Sequence, residues 1–171
     1  MCCSFSWVEQ TLHSYGLPAI FGDLFFESLG VPLPGETLLL LAGTLAAKGD
    51  LALLPLWLTA FAAAVLGDNT GYLVGRRLGR PAVLRYGAKI GLTDARLSRV
   101  EHVIQRHGIW IVMAARFVAV LRQLNGVAAG TAGMHWGRFL IANAIGAALW
   151  VSVWVGAAYW FGVDAHHLRW R

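Results

Sequence analysis

Charge is scarce in this chain. Only 13% of its 171 residues are charged, against about 25% in an ordinary soluble domain. Cysteine is nearly missing. The two present, Cys2 and Cys3, are adjacent, which excludes a disulfide framework. The start of the chain has no basic n-region, so a secretory signal is not expected there. No apolar run precedes the two cysteines, so a lipoprotein signal does not fit either. Most enzyme signatures are absent: there is no HExxH and no GxSxG. Val65-Leu66-Gly67-Asp68 lacks the first glycine of the GxGD motif of intramembrane aspartyl proteases. His102, His107, His135, His166 and His167 form no spaced ligand set. No metal, no cofactor and no catalytic residue is therefore expected, and the chain is not read as an enzyme.

What fills the chain is apolar. Hydrophobic residues make up 57%, with eight Trp, eight Phe and four Tyr. That fraction, with 20 glycines, excludes disorder, fibre and coiled coil and points to an all-α integral membrane protein. Phe139 to Val163 is 25 residues without a charge. As a helix it measures about 37 Å, enough to cross a hydrocarbon core of about 30 Å. Leu51 to Gly75 is a second such run, interrupted only by Asp68. The spans are thus placed at 51–75 and 139–163.

The other apolar stretches are too short. Thr37 to Ala47 follows Pro32 and Pro34, which forbid a continuous helix from Glu27. Gly108 to Ala115 ends at Arg116, Phe117 to Leu121 ends at Arg122, and the segment after it carries Gly126, Gly130 and Gly133. Short, broken apolar segments in both halves point to re-entrant hairpins and a transport site. They are placed at about 27–47 and 109–135. A shift of 87 residues lays Ala42-Gly43-Thr44 on Ala129-Gly130-Thr131, Tyr72 on Tyr159 and Gly75 on Gly162. This fits two structural repeats of inverted orientation within a small helical bundle.

Between the halves, residues 76–107 hold eight basic residues, Arg76 to Arg106, against Asp94 and Glu101. The excess places this segment on the cytoplasmic side. Thr93 is a cap for a helix with Leu97, Val100 and Ile104 on one face. That helix is read as lying on the inner leaflet. The net charge of +5 bears on topology and lipid contact, not on nucleic acid. Trp7 to Phe26, with Glu9, His13, Pro18 and Asp23, makes a poor span and reads as a short or interfacial helix.

A charge at membrane depth costs about 2.5–3.5 kcal/mol on insertion and is a functional candidate by default. Five residues qualify: Glu27, Glu36, Asp68, Arg116 and Arg122. Glu36 is either a favourable first-turn residue of the helix from Thr37 or a desolvated carboxyl that takes and releases a proton. Glu27 either faces Glu36 across the hairpin or marks the membrane edge. Asp68 reads as a site residue or as an arginine's partner that holds the fold. Arg116 and Arg122 suit bidentate phosphate recognition or internal pairing with Glu27 and Glu36.

These residues together resemble the DedA family, the bacterial branch of the SNARE-associated or VTT-domain membrane proteins. The resemblance runs from Glu27-Ser28-Leu29-Gly30-Val31-Pro32-Leu33-Pro34-Gly35-Glu36 through Ala42-Gly43, Gly67-Asp68, Gly71-Tyr72 and Gly75-Arg76. It continues through Arg106-His107-Gly108, Arg116-Phe117, Arg122, Ala129-Gly130, Met134, Phe139, Asn143, Gly146 and Trp150, and covers roughly residues 15–162. It implies two opposed re-entrant hairpins in the bacterial inner membrane. It also implies translocation of polyprenyl phosphate or phospholipid head groups, coupled to the proton gradient. By that resemblance Glu27 and Glu36 carry protons and Arg116 and Arg122 bind the phosphate, with Asp68 and Asn143 supporting. Many relatives continue into another apolar helix where this chain ends at Arg169-Trp170-Arg171, which leaves room for a partner or a second copy to complete the bundle. The rival readings are a proton-coupled transporter of small ions or solutes and a non-transporting scaffold for envelope maintenance.

Overall fold

A computed structural model of the chain describes residues 3–87 and 93–168. Cys2, the side chain of Cys3, Lys89 and the Arg169-Trp170-Arg171 end lie outside the described residues. All regular elements among the described residues are helical. They are α1 (Cys3–Ser28), α2 (Gly35–Lys48), α3 (Leu53–Gly87), α4 (Asp94–His107), α5 (Ile109–Ala114), α6 (Ala119–Thr131) and α7 (Trp136–Leu168), with a 3-10 turn at Ala115–Phe117. Two helices are long and apolar enough to cross a membrane, Leu53–Gly79 and Trp136–Gly162. They fall within a few residues of the spans read from charge alone.

Local chemistry sets the breaks. Pro18 lacks the N–H that would continue α1, and the chain kinks just before it at Gly16, with φ of 47°. α2 ends in a Schellman turn, in which the Gly49 N–H bonds Ala46 O and the Asp50 N–H bonds Leu45 O. Gly79, at φ 68°, and Pro81 bend α3 at its basic end. Thr93 caps α4 as its type and position predict, accepting the Arg96 N–H at 3.4 Å.

The apolar face of α4 corrects one expectation. Leu97 and Ile104 are buried in a core shared with Val112, Leu124 and Phe139. That face is covered by the protein's own bundle rather than turned to the inner leaflet. The second hairpin supplies the apolar partners that the sequence reading sought in lipid.

The helices form two hairpins that exchange partners. α1 descends beside the first half of α3: Ile20 and Leu24 share a core with Leu56, Ala60 and Ala63, and Gly67 meets Phe25 and Ser28. The chain turns at Leu29–Pro34 and α2 departs along the second half of α7. A Cβ at Gly43 would stand 2.6 Å from that of Ala158, and one at Gly162 2.7 Å from that of Ala47. The second half repeats the pattern. α5 runs beside the first part of α7, with Met113 against Gly146. The chain turns at Phe117–Val118 and α6 departs along the second half of α3. There a Cβ at Gly130 would collide with the Tyr72 carbonyl. Gly43 packs beside Tyr159 and Gly130 beside Tyr72, so both members of each contact are displaced by the same 87 residues. Small residues that let helix backbones touch are the usual means of packing where lipid gives no hydrophobic drive.

Candidate functional site

The two hairpin turns meet half-way along the long helices, between the two apolar cores. Six of the eight buried polar side chains among the described residues collect there: Glu27, Asp68, Arg116, Arg122, Asn125 and Asn143. At such depth a charge persists only if paired and hydrogen-bonded, and the pairing divides the layer into two clusters.

The first cluster joins the hairpins. Glu27 is on the last turn of α1, Glu36 on the first turn of α2, and Arg122 on the first turn of α6. Arg122 Nη2 donates to Glu27 Oε1 at 2.5 Å and Nη1 donates to Glu36 Oε1 at 2.9 Å. The guanidinium lies 4.5 Å from the ring centre of Trp150, a cation–π contact. Gly35 makes this possible, because a Cβ there would collide with the Glu27 carboxylate. Arg122 and Glu27 are almost sealed, whereas 40% of the Glu36 side chain is exposed. A cavity of about 370 Å³ opens over them, bounded by Pro32, Pro34 and Gln123. Two carboxylates share one guanidinium, so with both ionised the cluster carries one net negative charge.

The second cluster is closed. Arg116 Nη2 donates to Asp68 Oδ2 and, at 2.8 Å, to Asn143 Oδ1; Nε also reaches Asn143 Oδ1, at 3.2 Å. The Ala64 carbonyl accepts a further bond at 3.3 Å. Gly146 leaves space for the Arg116 stem, since a Cβ would approach Arg116 Cδ to 3.2 Å. Asp68 Oδ1, Arg116 Nη1 and Asn143 Nδ2 have no hydrogen-bond partner among the described residues.

The VTT domain family matches residues 33–159, a stretch that contains Glu36, Asp68, Arg116, Arg122, Asn143 and Trp150. The chain belongs to the VTT-domain, or DedA, family. It is 37% identical to the uncharacterized membrane protein slr0232 of Synechocystis over 93% of this chain and 73% of the relative. It is 30% identical to the uncharacterized membrane protein YbfM of Bacillus subtilis over 86% of this chain and 91% of the relative. It is 36% identical to the inner membrane protein YghB of Escherichia coli over 82% of this chain and 65% of the relative. No solved structure matches the chain. With its two apolar spans, this VTT-domain chain is an integral inner-membrane protein.

The fold of this family member brings Glu27, Glu36 and Arg122 into one cluster, and Asp68, Arg116 and Asn143 into another. That separates the two arginines that sequence reasoning had grouped. Arg116 is 1% exposed, is held by Asp68 rather than by Glu27 or Glu36, and does not line the cavity. Sequence reasoning gave no role at the site to Trp150 or Asn125. Trp150 is buried under Arg122, and its indole N–H has no partner among the described residues. Its place in a charge-free run carries no sign of this. Asn125 donates to the Val112 carbonyl at 3.1 Å and ties α6 to α5. An amide two residues after Gln123, just before the apolar end of α6, was the available signal. Tyr72 donates to Met134 O at 2.5 Å and Arg76 donates to Tyr72 Oη at 2.7 Å, which anchors the far end of α6 to α3.

Proposed function

We propose that the protein moves a phosphate-headed lipid, a polyprenyl phosphate or a phospholipid, across the inner membrane in a step coupled to protons, with both hairpins re-entrant from opposite faces. The observation that carries this reading is Arg122. It is the one arginine in the layer that borders an open cavity, and it is held by two carboxylates from the opposing hairpin.

The chemistry follows from charge. Arg122 cannot release its proton, so its partners must change. Protonation of Glu27 and Glu36 leaves an uncompensated guanidinium, a planar donor fork suited to phosphate oxygens. Loss of those protons restores the pairs and expels the anion. Trp150 holds the guanidinium from behind through both states, and Arg116 with Asp68 and Asn143 keeps the second hairpin turn in position. Transport requires two conformations with different affinity for the anion, and the two turns facing each other from opposite hairpins are the parts that open. With both carboxyls protonated the cluster beside the cavity is net positive, and in that state it favours an anion over the cations of a small-ion antiporter.

The test is translocation of a labelled polyprenyl phosphate in proteoliposomes with and without a pH gradient. Arg122→Ala is expected to abolish flipping, and Glu36→Gln to leave flipping that no longer responds to the gradient. Flipping by Arg122→Ala at the wild-type rate, at matched folded yield, overturns the reading. Gradient-driven ion flux without lipid movement replaces it with the antiporter.

A further inference from the structure

A second and larger cavity, about 580 Å³, lies at the basic end of the bundle, away from the arginine–carboxylate layer. We propose that it binds the head group of an anionic phospholipid of the cytoplasmic leaflet. This rests on the membrane orientation given by the basic segment and not on transport activity.

Two tight turns frame the cavity. Gly108, at φ 52°, joins α4 to α5, and Gly133, at φ 72°, joins α6 to α7. Left-handed φ values at these points let both chains reverse next to each other. The volume is within the range of small-ligand sites, about 300–1,000 Å³. Its wall is divided by chemistry. Ile104, Ile109 and Met134 form an apolar side, continued outward by Trp110, which is 77% exposed. Exposed tryptophans at a helix end are the mark of the membrane–water boundary, and Trp136, also exposed, stands at the same end.

The polar side consists of Gln105, His135 and Arg138, and no carboxylate among the described residues borders the cavity. Arg138 is exposed and has no hydrogen-bond or ion-pair partner among the described residues. His135 Nδ1 accepts the Gly137 N–H at 3.2 Å, which leaves Nε2–H as a donor in the neutral ring. A cation and fixed donors opposite an apolar wall match a phosphodiester whose first tail carbons turn outward along Trp110. A soluble phosphate would use the donors and leave the wall unoccupied. Anionic lipid is also what the cytoplasmic leaflet presents to basic protein surfaces.

The experiment is native mass spectrometry of the full chain purified in detergent, offered phosphatidylglycerol, phosphatidylcholine or glycerol 3-phosphate. The expected result is retention of phosphatidylglycerol about fivefold or more over phosphatidylcholine, the factor for one basic residue near a lipid charge. Arg138→Gln, an exposed change, lowers that retention to the phosphatidylcholine level. Arg77→Gln, which removes an exposed charge at the same end but outside the cavity, leaves it unchanged. Trp110→Ala weakens both lipids and is the second variant should Arg138→Gln fold poorly. Equal retention of the two lipids, full retention by Arg138→Gln, or displacement of the lipid by glycerol 3-phosphate each overturns the proposal.

Discussion

Asp68→Leu tests whether Arg116 is a structural clasp. Both side chains of the pair are fully buried, so removing the carboxylate leaves a guanidinium in low dielectric with only Asn143 and the Ala64 carbonyl to hold it. Breaking one partner of such a pair costs about 3–5 kcal/mol. For a chain of this size about 2–4 °C accompanies each kcal/mol, so the melting temperature falls by about 6–20 °C. Adding Arg116→Met removes the stranded charge and fills its space with apolar atoms. Replacing a whole buried pair is close to neutral, so the double variant regains most of the loss, less about 1–3 kcal/mol for the two hydrogen bonds that Asn143 Oδ1 gives up. The assay is thermal unfolding of purified protein in detergent, followed by tryptophan fluorescence, on wild type, both single variants and the double. A coupling energy of several kcal/mol is expected between positions 68 and 116. Additive losses, or a single variant that melts with the wild type, refute the clasp. They would return Arg116 to the set of substrate ligands.

Four further outcomes follow from the same geometry. Trp150→Leu removes the cation–π contact with Arg122, about 0.5–2 kcal/mol, and lowers flipping severalfold in the proteoliposome assay, while Trp150→Phe retains most of it. Gly130→Val forces α6 off the Tyr72 carbonyl and is expected to abolish folded yield by size-exclusion chromatography. Gly22→Ala, in α1 with no atom near its Cβ position, raises stability by up to about 1 kcal/mol. Tyr72→Phe loses the bonds to Met134 and Arg76 and lowers the unfolding free energy by about 1–2 kcal/mol, measured by the same melt.

Much of this was legible in the chain itself. A bilayer imposes length and charge rules on any span, so two long apolar runs, one charge-free and one broken only by Asp68, located α3 and α7. Thr93 predicted the start of α4 because capping is local. Scarcity of charge selected the five deep residues, since each had to be compensated somewhere. The partner of each charge was not legible. Arg116 and Arg122 stand six residues apart and look alike in sequence, yet Arg116 sits inside a 3-10 turn and the extended residue Val118 separates it from α6 and Arg122. That break sends one arginine into the bundle beside Asp68 and the other to the cavity beside Glu27 and Glu36. Trp150 was illegible for the same reason, as its contact with Arg122 crosses 28 positions of chain.

The destination of the hairpins divides the two kinds of information most clearly. The 87-residue offset already said that the halves are alike, because the same glycines recur at the same spacing. It could not say that α2 leans on the other half's long helix and α6 on the first half's. That exchange is a choice between equally apolar surfaces, and no pattern along one helix distinguishes them. Only close approach does so, where Gly43 reaches Ala158 and Gly130 reaches the Tyr72 backbone. Hydrophobicity along the chain therefore determined what lies in the membrane, while steric fit between distant segments decided which charges meet there.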